Sequence, residues 1–314
     1  MGSSDHDARL TVFQEQRPRL FALAYRLLGS AASAEDIVQE AYLRWSGAAE
    51  GVEVPAAWLT KVVTNLCLNE LASARARRER YVGPWLPEPV LTRDGDGALG
   101  PLETLAQRET VSLGVLVLLE RLAPAERAVF VLREAFGHSH AEVADILGVS
   151  EANSRQLHRR ARTHVSGERP RFDVSPQLHR AMVDAFLKAA AQGDLAGLEK
   201  LLAAEVVAWS DGGGAARTAR RPIHGRDKVL RYLLGVAARP EASTVTVDVD
   251  QVNGEPALLV REGSVLRAVV ALEIGTAAGT THSAGTGQAA AARIVGVRTV
   301  VNEAKLAFAA AQLA

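Results

Sequence analysis

The stretch SHAEVADILGVSEANSRQLHRRAR, residues 139–162, constrains the fold more than any other part of the chain. Ser139 followed by Glu142 matches the capping-box pattern that opens a helix. Gly148 permits a tight turn, and Ser150 then has the side chain of a second N-cap. The stretch therefore predicts a helix, a turn and a second helix, the arrangement of a helix-turn-helix motif.

The second of these helices is predicted to have two different faces. At roughly 100° per residue, its small and apolar side chains gather on one side: Ser154, Leu157, Ala161 and Val165. Its basic and amide side chains gather on the other: Arg155, Gln156, Arg159 and Arg162. Arginine pairs bidentately with guanine in the major groove, so we favour DNA reading over a solvated basic helix.

The net charge sets a limit on this interpretation. The 314 residues carry 36 Lys+Arg against 36 Asp+Glu. A protein that holds DNA by itself gains most of its affinity from an excess of cations over phosphate. The sequence thus predicts that another component supplies much of the DNA affinity.

Two earlier helices also carry unusual faces. The helix predicted over residues 56–78 has Trp58, Lys61 and Asn65 on one side, a set suited to unstacked bases by stacking, charge and edge hydrogen bonds. In SAEDIVQEAYLRW, with Ser33 as the expected N-cap, a leucine stands among polar groups on the outer face, which suggests a partner helix. That face contains Asp36, Gln39, Glu40 and Leu43.

Composition divides the chain into four segments. Residues 8–82 and 108–168 have helical periodicity, and the Pro- and Gly-rich residues 83–107, which include WLPEPV, read as a linker. Residues 172–314 begin with helices and continue with strands taken to be antiparallel, which indicates an α+β domain. Within it, residues 275–292 form a low-complexity loop.

Composition also bounds the class of protein. The single cysteine, Cys67, excludes an internal disulfide and predicts a buried structural thiol. The stretch MGSSDHDARL shows neither the basic region nor the apolar region of a signal peptide, and no apolar run reaches membrane-spanning length, so we expect a soluble, cytoplasmic protein.

Three segments resemble one known family. AEDIVQEAYLRW, WLTKVVTNLCLNEL and ERAVFVLREAFGHSHAEVADILGVSEANSRQLHRRAR are similar to the two conserved domains of extracytoplasmic-function (ECF) sigma factors. WLPEPV and DGGG resemble the subgroup with a fused SnoaL-like, NTF2-like domain, and VNEAKLAF resembles its Asn-Pro-Asp-Lys-Leu motif except at Glu303 and Ala304. The implied fold is multidomain, with two all-α sigma domains, the second a helix-turn-helix, followed by an α+β cone.

The resemblance implies a role for each face. Residues 8–82 would form sigma region 2 and residues 108–168 sigma region 4, with residues 172–314 as the fused domain. The contacts with the β′ clamp helices of core RNA polymerase would be Asp36, Gln39, Glu40, Leu43 and Arg44. Trp58, Lys61 and Asn65 would open the −10 promoter element. The −35 element would be read by Arg155, Gln156, Arg159 and Arg162, while the polymerase supplies the nonspecific DNA affinity.

In the last domain, the resemblance implies regulation in cis. We expect WLPEPV to pack near Asp211–Gly214, because a large apolar Trp85 in a loop needs a cover. The candidate regulatory residues are Trp85, Leu86, Pro87, Asp211, Gly212, Gly213, Gly214, Lys305 and Leu306. Asp211 is also the obvious acid/base candidate by analogy with SnoaL-like cyclases, but a strand-ending turn is the favoured interpretation.

We therefore expect no catalytic activity, no cofactor and no metal, since the histidines at 138, 140, 158 and 164 are dispersed in the sequence. The expected partners are core polymerase and promoter DNA, with no membrane, and the free chain is expected to be a monomer. A small-molecule ligand in the last domain remains open. Two other functions compete: a one-component helix-turn-helix regulator with a ligand-sensing domain, and an NTF2-like cyclase or hydrolase with a DNA-targeting arm.

Overall fold

Two units, each built around its own buried apolar side chains, make up the chain in the computed structural model. The first contains Met1–Arg80 and Thr92–Glu168, and the second contains Tyr81–Leu91 and Arg169–Ala314. The structure describes residues 3–47, 52–78, 81–93, 98–99, 107, 110–168, 174–214, 218–239, 244–276 and 292–314.

The first unit begins with three helices: α1 (Ser3–Leu28), α2 (Ala31–Ser46) and α3 (Pro55–Arg78). Their apolar faces are buried against one another, and Cys67 lies fully buried among them, where burial raises the pKa of its thiol well above the usual value. The N-cap predicted at Ser33 is wrong. Ser30 caps α2 instead, since its side chain accepts a hydrogen bond from the Ser33 amide and the helix begins one turn earlier.

The rest of the first unit is α4 (Leu113–Leu119), α5 (Pro124–Glu134), α6 (His140–Leu147) and α7 (Glu151–Glu168). Buried arginines join this part to the first helices. Arg127 of α5 donates to the carbonyl of Arg26 at 3.2 Å, and Arg26 in turn donates to the hydroxyl of Thr110 at 3.2 Å.

The second unit combines four helices with a six-stranded sheet. The helices are α8 (Pro176–Gln192), α9 (Leu195–Leu201), α10 (Arg226–Ala237) and α11 (Glu303–Leu313). The strands are β1 (Leu202–Asp211), β2 (Ile223–His224), β3 (Thr246–Val252), β4 (Glu255–Glu262), β5 (Val265–Thr276) and β6 (Ala292–Val300). Side chains of α8–α10 pack on one face of the sheet, with Val183, Ala208 and Leu272 in the core.

The strand order is β2-β1-β6-β5-β4-β3. The domain is α+β, as the sequence predicted, but its sheet is mixed: β1 pairs in parallel with β6, and the other neighbours are antiparallel. This pairing brings Asp211, at the end of β1, opposite Val300, at the end of β6, just before α11 begins. The low-complexity loop predicted at residues 275–292 lies almost wholly outside the described residues.

Candidate functional site

The helix-turn-helix motif of the first unit has the local structure that its sequence predicts. Ser139 and Glu142 form the reciprocal hydrogen bonds of a capping box before α6. Gly148 ends α6 with φ 67°, a left-handed conformation that a glycine adopts without strain. Ser150 then accepts a hydrogen bond from the Asn153 amide at 3.2 Å, as expected of an N-cap for α7.

The two predicted faces of α7 differ in exposure. Ser154, Ala161 and Val165 are buried, and Leu157 is half-buried. The arginine row, which we define as the four exposed side chains of the opposite face, consists of Arg155, Gln156, Arg159 and Arg162. Together with His158 and Thr163, its arginines line an open groove of about 400 Å³.

The arginines of the row differ in their ionic partners. Arg155 pairs with Glu151 one turn earlier at 2.8 Å, and Arg162 lies 3.9 Å from Glu134 of α5. The guanidinium of Arg159 pairs with none of the carboxylates that the structure describes. Since an unpaired cation gives up no ion pair when it meets phosphate or a base edge, Arg159 is the side chain of the row best placed to do so.

The three residues expected to meet unstacked bases lie along one side of α3 with unequal exposure. Asn65 is exposed and Lys61 is half-buried, with its ammonium 3.4 Å from Asp145 of α6. The ring of Trp58 is half-buried because it packs against Trp45, with ring centroids 5.7 Å apart. Part of the Trp58 ring therefore belongs to the core, and only the remainder is accessible to a partner.

The outer face of α2 has the exposure expected of a docking surface. Leu43 exposes 63% of its surface, the highest value among the large apolar side chains of the described residues. Asp36, Gln39 and Arg44 are exposed around it, and Glu40 accepts a hydrogen bond from Arg44 at 2.9 Å. The structure thus places an apolar side chain among charges on the surface of the helix.

The candidate residues of the second unit meet at a buried carboxylate. Asp211 is fully buried at the end of β1. Its Oδ2 accepts hydrogen bonds from the Leu86 amide at 2.8 Å and from the Lys305 ammonium at 2.7 Å. Its Oδ1 accepts hydrogen bonds from the Tyr81 hydroxyl and from the Gly213 amide. Both oxygens of Asp211 are thus used in joining parts of the fold.

Lysine 305 completes this cluster. Its ammonium also donates to the carbonyl of Leu86 at 2.6 Å and lies over the rings of Trp85, at 4.2 Å, and Tyr81, at 4.7 Å. We call Tyr81, Trp85, Leu86, Asp211 and Lys305 the linker clasp. Leu86, Pro87 and Leu306 are buried and Trp85 is half-buried, so the WLPEPV segment packs near Asp211 within this unit.

The backbone conformation and the contacts of the DGGG turn explain why position 213 is a glycine. Gly213 has φ 61°, and a Cβ added there would lie 2.5 Å from the amide nitrogen of Asn302. Asn302 donates from that nitrogen to the Tyr81 hydroxyl at 2.9 Å. Burial, followed by the hydrogen bond to Asp211, raises the pKa of Tyr81 well above its usual value. Gly212 is buried and Gly214 is exposed beside it.

Four contact residues were missed from the sequence: Tyr81, Asn253, Asn302 and Gln312. Asn302 lies inside the quoted VNEAKLAF motif, and Tyr81 lies four residues before Trp85, so both had a signal nearby. Asn253 sits in the Asn-Gly turn between β3 and β4, and its side chain also accepts from the Val90 amide at 3.1 Å. Gln312 bonds both the amide and the carbonyl of Leu91, which no local pattern indicates.

The two residues that differ from the expected motif, Glu303 and Ala304, are not part of the linker clasp. Glu303 and Ala304 are both exposed, and Glu303 pairs with Arg267 at 3.4 Å. The side chains that make the contacts, Asn302 and Lys305, lie on either side of them. The altered positions therefore leave the linker clasp intact.

Two family descriptions match the first unit. Residues 12–77 match "Sigma-70 region 2", and residues 112–165 match "Sigma-70, region 4". Among curated relatives, the ECF RNA polymerase sigma factor SigJ of Mycobacterium tuberculosis is 44% identical over 228 residues, which is 72% of each chain. The probable ECF RNA polymerase sigma factor SigI of the same species is 35% identical over 278 residues, covering 86% of this chain and 90% of the relative.

A solved structure is similar over nearly the whole chain. The crystal structure of the M. tuberculosis extracytoplasmic function sigma factor SigJ matches with a TM-score of 0.72 and 35% identity. The match covers 95% of this chain and 98% of that one, so it includes the α+β domain as well as the helices. In the part of the chain that the structure describes, none of the helices combines the length and hydropathy needed to cross a membrane.

Proposed function

The chain belongs to the extracytoplasmic-function RNA polymerase sigma factors, and we propose that it selects promoters through two separate exposed surfaces of its first unit. The observation that carries the proposal is the contrast within α7. Its arginine row is exposed, while Ser154, Ala161 and Val165 on the opposite face of the same helix are buried. That contrast leaves a basic face available to a major groove, because the opposite face is already used for packing.

We propose that the arginine row reads the −35 element. Arg159 is the central reader, because its guanidinium has five donors in a planar fork and pairs with no described carboxylate. Arg155 and Arg162 exchange weak, exposed ion pairs for phosphate or base contacts. Gln156 adds an amide suited to adenine.

We propose that the exposed side of α3 meets the melted −10 element. Asn65 offers both a donor and an acceptor to a base edge, and Lys61 offers charge to a nearby phosphate. Trp58 contributes the part of its ring that does not pack on Trp45. Extruding a base costs a few kcal/mol, and these stacking and edge contacts offset that cost.

We propose that α2 docks on the β′ clamp helices of core polymerase. Leu43 is the apolar anchor, surrounded by Asp36, Gln39, Glu40 and Arg44 as polar contacts. Core polymerase then supplies the nonspecific DNA affinity that the balanced charge of this chain does not. We expect the chain to bind core as a monomer.

We propose that the second unit regulates the sigma regions in cis through the linker clasp. Residues 81–91 lie between region 2 and region 4 in the chain, yet they fold into the second unit. Asp211 and Lys305 hold Leu86, and Gln312 holds Leu91, so the clasp limits how much chain can extend between the two promoter-reading parts. A change in the clasp therefore changes promoter use.

Run-off transcription with purified core polymerase tests the main proposal. The wild-type chain should direct specific transcripts, and Leu43→Ala should lower their yield by weakening the docking of α2. Leu178→Ala, an exposed leucine on α8 of the second unit, is the matched control and should leave the yield unchanged. Specific DNA binding of nanomolar affinity without core, at physiological salt, would favour a one-component regulator instead.

The clasp is tested in the same assay. Lys305→Met keeps an apolar stem but removes the ammonium that bridges Asp211 and Leu86. We expect transcription to change in this variant and to stay at the wild-type level in Glu303→Ala, two residues away and exposed. Equal output from all three chains contradicts regulation through the clasp.

A further inference from the structure

A chain of polar side chains runs through the seam between the helices of the helix-turn-helix motif. Ser154 of α7 is fully buried, and its hydroxyl lies 3.0 Å from Nδ1 of His140 in α6. The ring of His140 meets the ring of His158 edge-on, with centroids 5.4 Å apart. Nε2 of His158 donates to Glu134 of α5 at 2.8 Å. We call Glu134, His140, Ser154 and His158 the seam network.

The seam network ties three helices together by hydrogen bonds at a position suited to plain apolar packing. Buried polar groups are stable only when they are hydrogen-bonded, so Ser154 depends on His140 for its partner. The sequence separates His140 from His158 by 18 positions, but the fold brings their rings into contact. No group of three potential metal ligands forms among the described residues.

The charges around His140 come from three helices. Arg133 of α5 faces it, and α7 contributes Arg155, His158 and Glu151. The third helix is α3, whose Lys61 ammonium pairs with Asp145 of α6. Burial first, and then the guanidinium of Arg133, lowers the pKa of His140 below its usual value. A proton on His140 therefore adds positive charge beside Arg133 and Arg155 in a partly buried seam.

We propose that His140 is an acid-sensitive positioning residue, whose protonation loosens α7 on α6 and weakens reading by the arginine row. This inference rests on the proposed promoter-reading function of α7. Neutral His140 bonds Ser154 and packs on His158, which keeps the helix in place. Charged His140 is repelled by Arg133 and Arg155, and the seam opens to let it reach water.

Hydrogen exchange followed by mass spectrometry on the full chain tests the proposal without DNA. Amides of α7 are compared at pH 7.5 and pH 5.5 after correction for intrinsic exchange rates. In the wild type, we expect their protection to fall by up to about tenfold per pH unit below the pKa of a free histidine. In His140→Gln, which can still bond Ser154 but does not titrate, most of this pH dependence should disappear.

Three further variants keep the result interpretable. His164→Gln removes an exposed histidine from the same helix and should retain the wild-type pH dependence. The double variant His140→Phe, Ser154→Ala makes the seam apolar and should abolish the pH dependence. It replaces His140→Gln in the experiment if that single variant does not fold. His138→Gln is measured alongside, because burial also lowers the pKa of His138 just before α6. Equal pH dependence in wild type and His140→Gln overturns the proposal.

Run-off transcription at pH 7.5 distinguishes failure of the proposed role of His140 from failure of the proposed promoter-reading function. If the protection of α7 in the wild type does not change with pH while promoter-specific transcripts are normal, the role of His140 is overturned. The proposed function then still stands. Absence of specific transcripts at pH 7.5 removes the promoter-reading function on which the inference rests. The expected result is normal transcription at pH 7.5, with acid sensitivity that His140→Gln relieves.

Discussion

The arginine row of α7 and the linker clasp place charge in opposite environments. The row is exposed and its ion pairs are at the surface, whereas the Asp211 side chain is fully buried and that of Lys305 is 9% exposed. An exposed charge costs the folded protein little free energy and is available to a binding partner. Buried charge is stable only with complete hydrogen bonding, so it fixes structure. Under the proposed function, the row uses exposed charge for recognition, whereas the clasp uses buried charge to hold the linker.

Removing one partner of the buried pair should produce the largest effect on stability. Asp211→Ala leaves the Lys305 ammonium buried without its carboxylate, so we expect a loss of about 3–5 kcal/mol in the free energy of unfolding of the second unit. Urea denaturation, with hydrogen exchange to assign the transition to this unit, measures the loss. Glu303→Ala should change it by less than about 0.5 kcal/mol. A small effect of Asp211→Ala would mean that the clasp does not depend on its charge.

A second substitution sharpens this result. Adding Lys305→Met to Asp211→Ala removes the orphaned ammonium, so part of the lost stability should return. The double variant is compared with both single variants in the same denaturation experiment. If the two single losses simply add, the carboxylate and the ammonium act independently and the pair is not the unit that holds Leu86.

The row should show the opposite pattern, with loss of recognition and little loss of stability. Arg159→Ala removes an exposed side chain, so the melting temperature should stay near that of the wild type. Its expected cost is about 1–3 kcal/mol of discrimination between a selected promoter and the same DNA with a scrambled −35 element. Competition binding of the reconstituted holoenzyme measures this difference.

Arg160→Ala is the matched control for the row. It removes the same charge from the same exposed helix, but outside the four-residue face. We expect it to weaken binding to both DNAs by a similar small amount, because it alters only the general attraction to phosphate. Equal loss of discrimination in both variants would show that the row has no special face.

The contrast between the row and the clasp also explains which structural features could be predicted from the sequence. The faces of α7 follow from spacing alone, since Arg155, Arg159 and Ala161 lie within two turns of each other. Capping by Ser139 and Ser150 is equally local, although α2 is capped by Ser30 and not by the predicted Ser33. In each case the information lies within about ten residues.

The clasp depends on contacts that no local pattern contains. Asp211 meets Leu86 across 125 positions and Lys305 across 94. Those meetings follow from the parallel pairing of β1 with β6, which the strand pattern did not indicate. The resemblance pointed to Trp85, Asp211 and Lys305, but not to Tyr81 or Gln312. Likewise, contact between His140 and His158 depends on the angle at which α6 and α7 pack.

Acidification should weaken the second unit modestly through one buried histidine. Burial lowers the pKa of His179 in α8, so the unfolded chain binds a proton that the folded chain excludes. Stability is therefore full above the pKa of a free histidine, about 6.5, and falls as the pH drops through it, by at most about 1.4 kcal/mol per pH unit. His179→Leu should flatten this part of the pH profile measured by urea denaturation between pH 5 and 8. An unchanged profile would show that another group dominates.

The smallest effect is expected at the exposed pair of Lys61 and Asp145. Nζ of Lys61 lies 3.4 Å from Oδ2 of Asp145, and the side chains are 44% and 79% exposed, respectively, so water screens the attraction. Asp145→Asn should therefore change the free energy of unfolding by no more than about 1 kcal/mol. It also frees the Lys61 ammonium for DNA, so opening of the −10 element should be unimpaired or slightly faster, as measured by permanganate reactivity of promoter thymines.

Lys61→Ala should slow opening of the −10 element while changing the free energy of unfolding as little as Asp145→Asn does. If Asp145→Asn instead destabilises the first unit strongly, this pair is structural, and the contrast between exposed charge for recognition and buried charge for structure does not extend to α3.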